Sequence, residues 1–286
     1  MTRLDRLWWP VEGITKGDVV RYYRAVSPVL LPHLRDRPFT MKRHYTSPRS
    51  PFQWVKDAPP DLPAWIRTSE QPAKSRGGAP VRYALVNDEL ALLWMVEFGC
   101  VDLHVWTARE DRPDRADAVV FDLDPADVAF ADVAAAALLL RDALAALELE
   151  AFPMTTGGAG LHVRVPVARV HQYAEIREFA ELLAGVLCRA APQLVTGERS
   201  PGKRRGVFVD AKMNGLGQQV VAPYSVRPLP GAPVATPVTW EELERGVRPG
   251  ELSLDAVTAR VGERGDLLAG ALGARQRLAA ALGALR

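Results

Sequence analysis

The stretch that most restricts the fold of this chain is "AFPMTTGGAGLHVRVPV", residues 151–167, set between two segments that read as strong helices, residues 132–149 and 173–190. Two hydroxyls and three glycines stand in its middle, and the residues after them alternate with the period of a strand. It reads as strand, loop, strand. Glycine-rich loops cradle phosphates because backbone N–H groups approach the ligand closely. In dinucleotide-binding and P-loop proteins, however, a helix follows the glycines. A strand follows here, so the chain is not a strict βαβ alternation, and hairpins and helices must interleave.

The remaining segments extend this pattern. Thr15 is placed to cap a helix with Asp18 near its third position, and the helix is expected to run to about Leu31, before Pro32. Residues 38–45 read as a strand, and residues 46–80, rich in Pro, Ser and Gly, as loop with short pieces. "VRYALV" (81–86), "VDLHVWTA" (101–108), "ADAVVFDLDP" (116–125), "GVFVDAKMN" (206–214) and "QQVVAPYSVR" (218–227) read as strands. "DELALLWMVEFG" (88–99) reads as an amphipathic helix ended by Gly99, and the chain from Trp240 onward as short helices. The expected class is α+β, with antiparallel or mixed sheets flanked by helices and a small helical C-terminal tail. Residues 1–238 are expected to form the catalytic domain and residues 239–286 a helical extension, with the Pro-rich stretch 228–238 as linker.

Composition narrows the class. Hydrophobic residues make up 48% and charged residues 24% of the 286, ordinary for a soluble protein. No apolar run reaches the ~18 residues of a membrane span. The longest candidate is broken by Arg141, Asp142, Glu148 and Glu150. The N-terminus lacks the apolar core of a secretory signal, and two cysteines make no disulfide framework or cysteine-rich zinc site. A cytoplasmic protein is expected. Net charge is only +2, but the first fifty residues carry ten Lys or Arg against four acids, and Lys203-Arg204-Arg205 forms a second basic knot. Such clusters on a near-neutral chain form a footprint for a polyanion, although any single Arg is more often a solvated one.

Asp122 and Asp124 end an apolar strand two residues apart, so they share a face. Neighbouring carboxylates repel unless a cation neutralises them, and hard divalent ions take such oxygen ligands. Asp210 ends another apolar strand and is a third candidate. The plain alternative for each is a solvated acid at a strand end. His104 and His162 lie in strands, where a lone histidine is usually structural. His162 shares a face with Arg164 directly after the glycine loop, which places both near a phosphate lodged there, and Arg227 is a further cation for phosphate oxygens.

In order, "FDLDP", "TTGGAGLHV", "VFVD" and "VAPYSVR" resemble the polymerase domain of bacterial end-joining ligase D, in the archaeo-eukaryotic primase superfamily. The N-terminal "LDRLWWPVEGITKGDVVRYYRAVSPVLLPHLRDRPFTMKR" and the later "PVATPVTWEEL" extend the resemblance over roughly residues 4–265. It implies a primase-like core and a two-metal mechanism using Mn²⁺ or Mg²⁺ held by Asp122, Asp124 and Asp210. It implies nucleotide binding by Thr156, Gly157, Gly158, Gly160, His162, His104, Arg227 and Lys42. Arg6 and Lys16 would hold the 5′-phosphate of a DNA end, and Trp54 would stack on a template base. The family's loop carries a lysine where this chain has Ala159, and serine where it has Thr156.

The function implied is extension of primer 3′-hydroxyls at DNA breaks or gaps in non-homologous end joining, with nucleoside triphosphates as substrates and a preference for ribonucleotides. The setting implied is the nucleoid of a prokaryote, with a Ku-like end-binding protein and a separate ATP-dependent DNA ligase as partners, since the chain is too short to carry a ligase of its own. One alternative is a DNA-end-binding module weakened by Ala159. Another is a phosphatase of the haloacid-dehalogenase type, which shares Asp-x-Asp but continues Gly-Thr where this chain has Pro-Ala.

Overall fold

Thr15 opens the first long helix as its sequence requires. Its hydroxyl accepts the Asp18 N–H at 3.1 Å, and the Asp18 carboxylate accepts the Thr15 N–H at 2.7 Å, a reciprocal cap. The computed structural model describes residues 1–72, 77, 79–273 and 275–286. In chain order, the first part contains β1 (Leu7–Trp9), β2 (Ile14–Thr15), α1 (Lys16–Leu34), β3 (Pro38–His44), β4 (Phe52–Val55), β5 (Thr68–Pro72), β6 (Pro80–Leu85), α2 (Glu89–Glu97) and β7 (Leu103–Trp106). Then follow β8 (Ala118–Pro125), α3 (Phe130–Ala146), β9 (Phe152–Thr155), β10 (Leu161–Pro166), α4 (Tyr173–Ala190), β11 (Val195–Thr196), β12 (Val207–Asp210) and β13 (Gln219–Val221). The last part is helical: α5 (Trp240–Glu244), α6 (Leu254–Arg264), α7 (Ala269–Gly273) and α8 (Ala279–Leu285). The class is α+β, as expected. Among the described residues no helix is long and apolar enough to cross a membrane.

The chain divides into two units. The first comprises Met1–Pro113, Gln219–Thr236 and Gly250–Asp266; the second comprises Asp114–Gln218, Pro237–Pro249 and Leu267–Arg286. In the first, strands run in the order β13-β7-β3-β6-β5, with β4 paired to β3. Helix α1 packs on α2 and α6, burying Tyr23, Val26, Leu30 and Leu34 completely. That burial carries α1 past its expected stop at Leu31. Pro28 and Pro32 both lie inside it, and packing outweighs the carbonyl clash and lost N–H of a helical proline.

Two further expectations are corrected in this unit, and one gains detail. The segment 46–80 is loop with short pieces, as expected. It supplies β4, whose "FQWV" pairs with Met41–His44 of β3, and β5, which pairs with β6; residues 73–76 and 78 lie outside the described ones. Helix α2 is not amphipathic. Ala91, Leu92, Leu93, Met95 and Val96 are all buried, leaving Leu90 as its exposed apolar residue. Gly99 does end it, at φ +93°, where a Cβ would collide with the His44 carbonyl. The strand expected over 218–227 stops at Val221, because Pro223 has no N–H to donate and Tyr224 adopts φ +63°.

The second unit holds the sheet β11-β12-β8-β10-β9, antiparallel except for the β11–β12 pair. Helix α4 covers one face, where the Phe121 ring meets Phe179 edge-on at 6.3 Å between centroids. Leu123, Val163 and Val209 alternate onto that buried face. The Asn214 side chain caps the start of β8, accepting the Val120 N–H at 2.8 Å and donating to its carbonyl at 2.7 Å.

Candidate functional site

Strand β8 lies between β10 and β12, and this position gathers the candidate acids. Asp122 is paired with His162 on one side and Asp210 on the other; Asp124 is paired with Phe208. Directly paired residues project to one face, as do residues two apart. Asp122, Asp124, Asp210 and His162 therefore share the face opposite Phe121 and Leu123. His162 is buried, with Nε2 at 3.3 Å from Asp122 Oδ1, and its Nδ1 is without a hydrogen-bond partner. Asp210 Oδ1 accepts the Lys212 N–H at 2.7 Å. Burial, then the charges of Asp122 and Asp210, push the Asp124 carboxyl up to about 6, against the opposing pull of His162 and Arg204. A carboxylate destabilised by its own neighbours is the electrostatic condition a bound cation relieves. Among the described residues no three His, Cys, Asp or Glu side chains are already converged as ligands of one ion. The donor chemistry of the three carboxylates nonetheless suits a hard divalent metal.

The glycine loop closes the β9–β10 hairpin beside Asp124. Thr156 N–H and Oγ1–H both donate to the Gly160 carbonyl at 3.1 Å, and the Gly158 N–H reaches Thr156 Oγ1 at 3.4 Å. Gly157 has φ +70°, which favours glycine. A Cβ on Gly160 would stand 2.9 Å from the Leu123 carbonyl and 3.4 Å from Asp124 Oδ1. The loop thus approaches β8 as closely as backbone allows. Ala159 is exposed at its tip. Arg164 is buried, whereas Arg204 is half-buried, with its guanidinium 3.7 Å above the Phe208 ring, beside Asp124 in the pairing.

The first unit assembles a second group around a residue the sequence reading passed over. Asp102, fully buried, lies 2.7 Å from Lys42 Nζ, 2.9 Å from His104 Nε2 and 3.4 Å from Arg227 Nε. Burial alone would raise its carboxyl, but His104, Arg227 and Lys42 together hold it well below the usual carboxylate range. Arg227 reaches this position from coil, one residue past the isolated bridge of Val226 with Val234, rather than from the end of a regular strand. The signal for Asp102 was its place two residues before His104, on the same face of β7's entry.

Trp54 is paired with Lys42 across β4 and β3. It is 45% exposed, and its ring meets His104 edge-on at 5.0 Å. Lys42 Nζ lies 4.5 Å from the Phe52 ring centroid. Cations and an open aromatic face are the elements of single-strand recognition.

Arg6 and Lys16 are brought together by the N-terminal segment, where the Lys16 N–H donates to the Arg6 carbonyl at 2.8 Å. Both line one cavity of about 580 Å³, with Arg3 and Arg43.

With this geometry in place, comparison with known proteins is direct. The family model "LigD, primase-polymerase domain" matches residues 15–268. The multifunctional non-homologous end joining protein LigD of Mycolicibacterium smegmatis is 32% identical over 274 residues, covering 94% of this chain and 35% of that protein. The LigD DNA repair protein of Mycobacterium tuberculosis is 34% identical over 278 residues, 94% of this chain and 36% of its own length. The chain thus spans about a third of these curated relatives. Among solved structures, the polymerase domain of M. tuberculosis ligase D in complex with DNA superimposes with a TM-score of 0.89 at 32% identity, covering 96% of this chain and 98% of that one. The phosphatase alternative finds no support in these matches. The chain belongs to the LigD primase-polymerase family.

Proposed function

We propose that the protein is a metal-dependent nucleotidyltransferase that extends primer 3′-hydroxyls at DNA breaks or gaps during non-homologous end joining. The observation that carries this reading is the single sheet face bearing Asp122, Asp124 and Asp210, with the glycine hairpin held against Asp124. When bound there, two Mn²⁺ or Mg²⁺ ions would acidify the attacking hydroxyl and neutralise the triphosphate, the chemistry of two-metal phosphoryl transfer.

The chain's own residues do the rest. The backbone of Gly157, Gly158 and Gly160 and the Thr156 hydroxyl seat phosphate oxygens. His162 offers its unpaired buried Nδ1 as a further contact. Lys42, His104 and Arg227, preorganised around Asp102, contribute to nucleotide binding. Trp54 stacks on a template base, a contact worth roughly 1–3 kcal/mol. Arg6 and Lys16 hold a downstream 5′-phosphate. Arg204 supplies the cation that Ala159 does not. Ribonucleotides are the preferred substrates. The protein works in the cytoplasm, at the nucleoid, beside a Ku-like end-binding protein and a DNA ligase activity.

The test is primer extension on a gapped duplex with a 5′-phosphate, using ribonucleoside and deoxyribonucleoside triphosphates with Mn²⁺ or Mg²⁺. Extension should occur and fall by at least about 10³-fold in Asp122→Ala, the scale of losing an essential transition-state contact. Tight DNA binding with no extension by the wild type would overturn the reading and leave an end-binding module.

A further inference from the structure

The cavity that holds Arg6 and Lys16 also contains a charge that a phosphate site does not obviously need. Its lining carries the cations Arg3, Arg6, Lys16 and Arg43, but also the acids Asp61 and Glu97. Asp61 makes no ion pair with Lys16; Glu97 does. Its Oε2 is 2.7 Å from Lys16 Nζ, and the Lys16 side chain is only 8% exposed. Glu97 Oε1 is fixed by the Thr2 hydroxyl at 3.1 Å and the Thr2 N–H at 3.3 Å, while Lys16 Nζ donates to the Thr2 carbonyl at 2.9 Å. Partial burial opposes ionisation of Glu97, but Lys16 and Thr2 outweigh it and hold the carboxyl below its ordinary range. The lysine therefore meets DNA with two of its three N–H directions already engaged, one by an anion.

An incoming phosphate has to compete with that anion. An internal phosphodiester carries one negative charge, and exchanging it for Glu97 at Lys16 replaces like with like. A terminal 5′-monophosphate carries close to two at neutral pH, so the same exchange leaves a surplus of attraction. A pocket of cations alone would grip every phosphate along a duplex, since backbone electrostatics carry no positional information. We propose that Glu97 guards Lys16 against the internal backbone: by holding the lysine, it sets a threshold that a terminal phosphate passes and an internal one does not. The proposal rests on the reading of Arg6 and Lys16 as the 5′-phosphate site.

Equilibrium binding to two gapped duplexes, identical except for a downstream 5′-phosphate or 5′-hydroxyl, tests it in wild type, Glu97→Gln, Lys16→Ala and the double variant. Glu97→Gln should bind both duplexes at least threefold tighter, because the competition it removes is the same for either phosphate; the 5′-hydroxyl duplex then gains from Lys16, which it does not in the wild type. Lys16→Ala should abolish discrimination, and adding Glu97→Gln to it should change nothing further. If Lys16→Ala leaves discrimination intact, the 5′-phosphate reading fails and this proposal with it. If Lys16→Ala abolishes discrimination but Glu97→Gln leaves both affinities unaltered, the phosphate site stands and the role of Glu97 is overturned. Weaker 5′-phosphate binding by Glu97→Gln would make Glu97 a strut for Lys16, and would also overturn the proposal.

Discussion

At the scale of single residues, Ala159 and Arg204 pose the sharpest question. The resemblance calls for a lysine in the glycine loop, and the exposed tip carries a methyl group instead. Arg204 lies on Phe208, the residue paired with Asp124, and its charge already draws the Asp124 carboxyl down. Arg164, also considered from the sequence, is buried. Arg204→Ala should therefore raise the KM for the nucleotide by about tenfold or more, the scale of a charge-assisted phosphate contact, with a smaller effect on kcat. Ala159→Lys should restore much of that loss in the Arg204→Ala background. Steady-state kinetics of nucleotide addition check both, and an Arg204→Ala enzyme with unchanged KM would show that the charge is supplied elsewhere.

At the scale of elements, the β9–β10 hairpin was legible because its alternation and glycines are local signals. So were β8 and β12, whose apolar runs end in the acids. What could not be read was decided by distant partners. The "FQWV" strand is too short and too closely flanked by Pro and Ser to declare itself, and it exists as β4 because Met41–His44 lies alongside. The Asp102 cluster likewise draws Lys42 and Arg227 from remote parts of the chain. The hairpin's closeness to β8 makes its own prediction. Gly160→Ala places a methyl 2.9 Å from the Leu123 carbonyl, so the loop must shift. Primer extension should drop by about tenfold or more, since displacements near 1 Å are costly at a reacting centre. The melting temperature should change by only a few degrees, because the strands on either side are untouched.

At the scale of the whole molecule, Asp102 links stability to pH. Its carboxyl is depressed in the folded state, so the folded form binds fewer protons than the unfolded chain near and below the ordinary carboxylate pKa of about 4. The stabilisation is fully present above that pH and is lost as pH falls toward the depressed value. Asp102→Asn should cost on the order of 3 kcal/mol near pH 7, as for breaking a buried ion cluster from one side. The gap between variant and wild type should narrow as denaturation is measured at progressively lower pH; a constant gap would mean that the cluster is held by packing rather than charge. Each of the two units draws on three separate stretches of chain, which bears on how the protein is made. A nascent chain leaving the ribosome has completed neither unit when residue 218 emerges. The first still waits for β13 at one edge of its sheet and for α6 against α1. The part of the α1 surface that α6 covers must stay unpaired, or shielded by chaperones, until residues 254–264 have emerged.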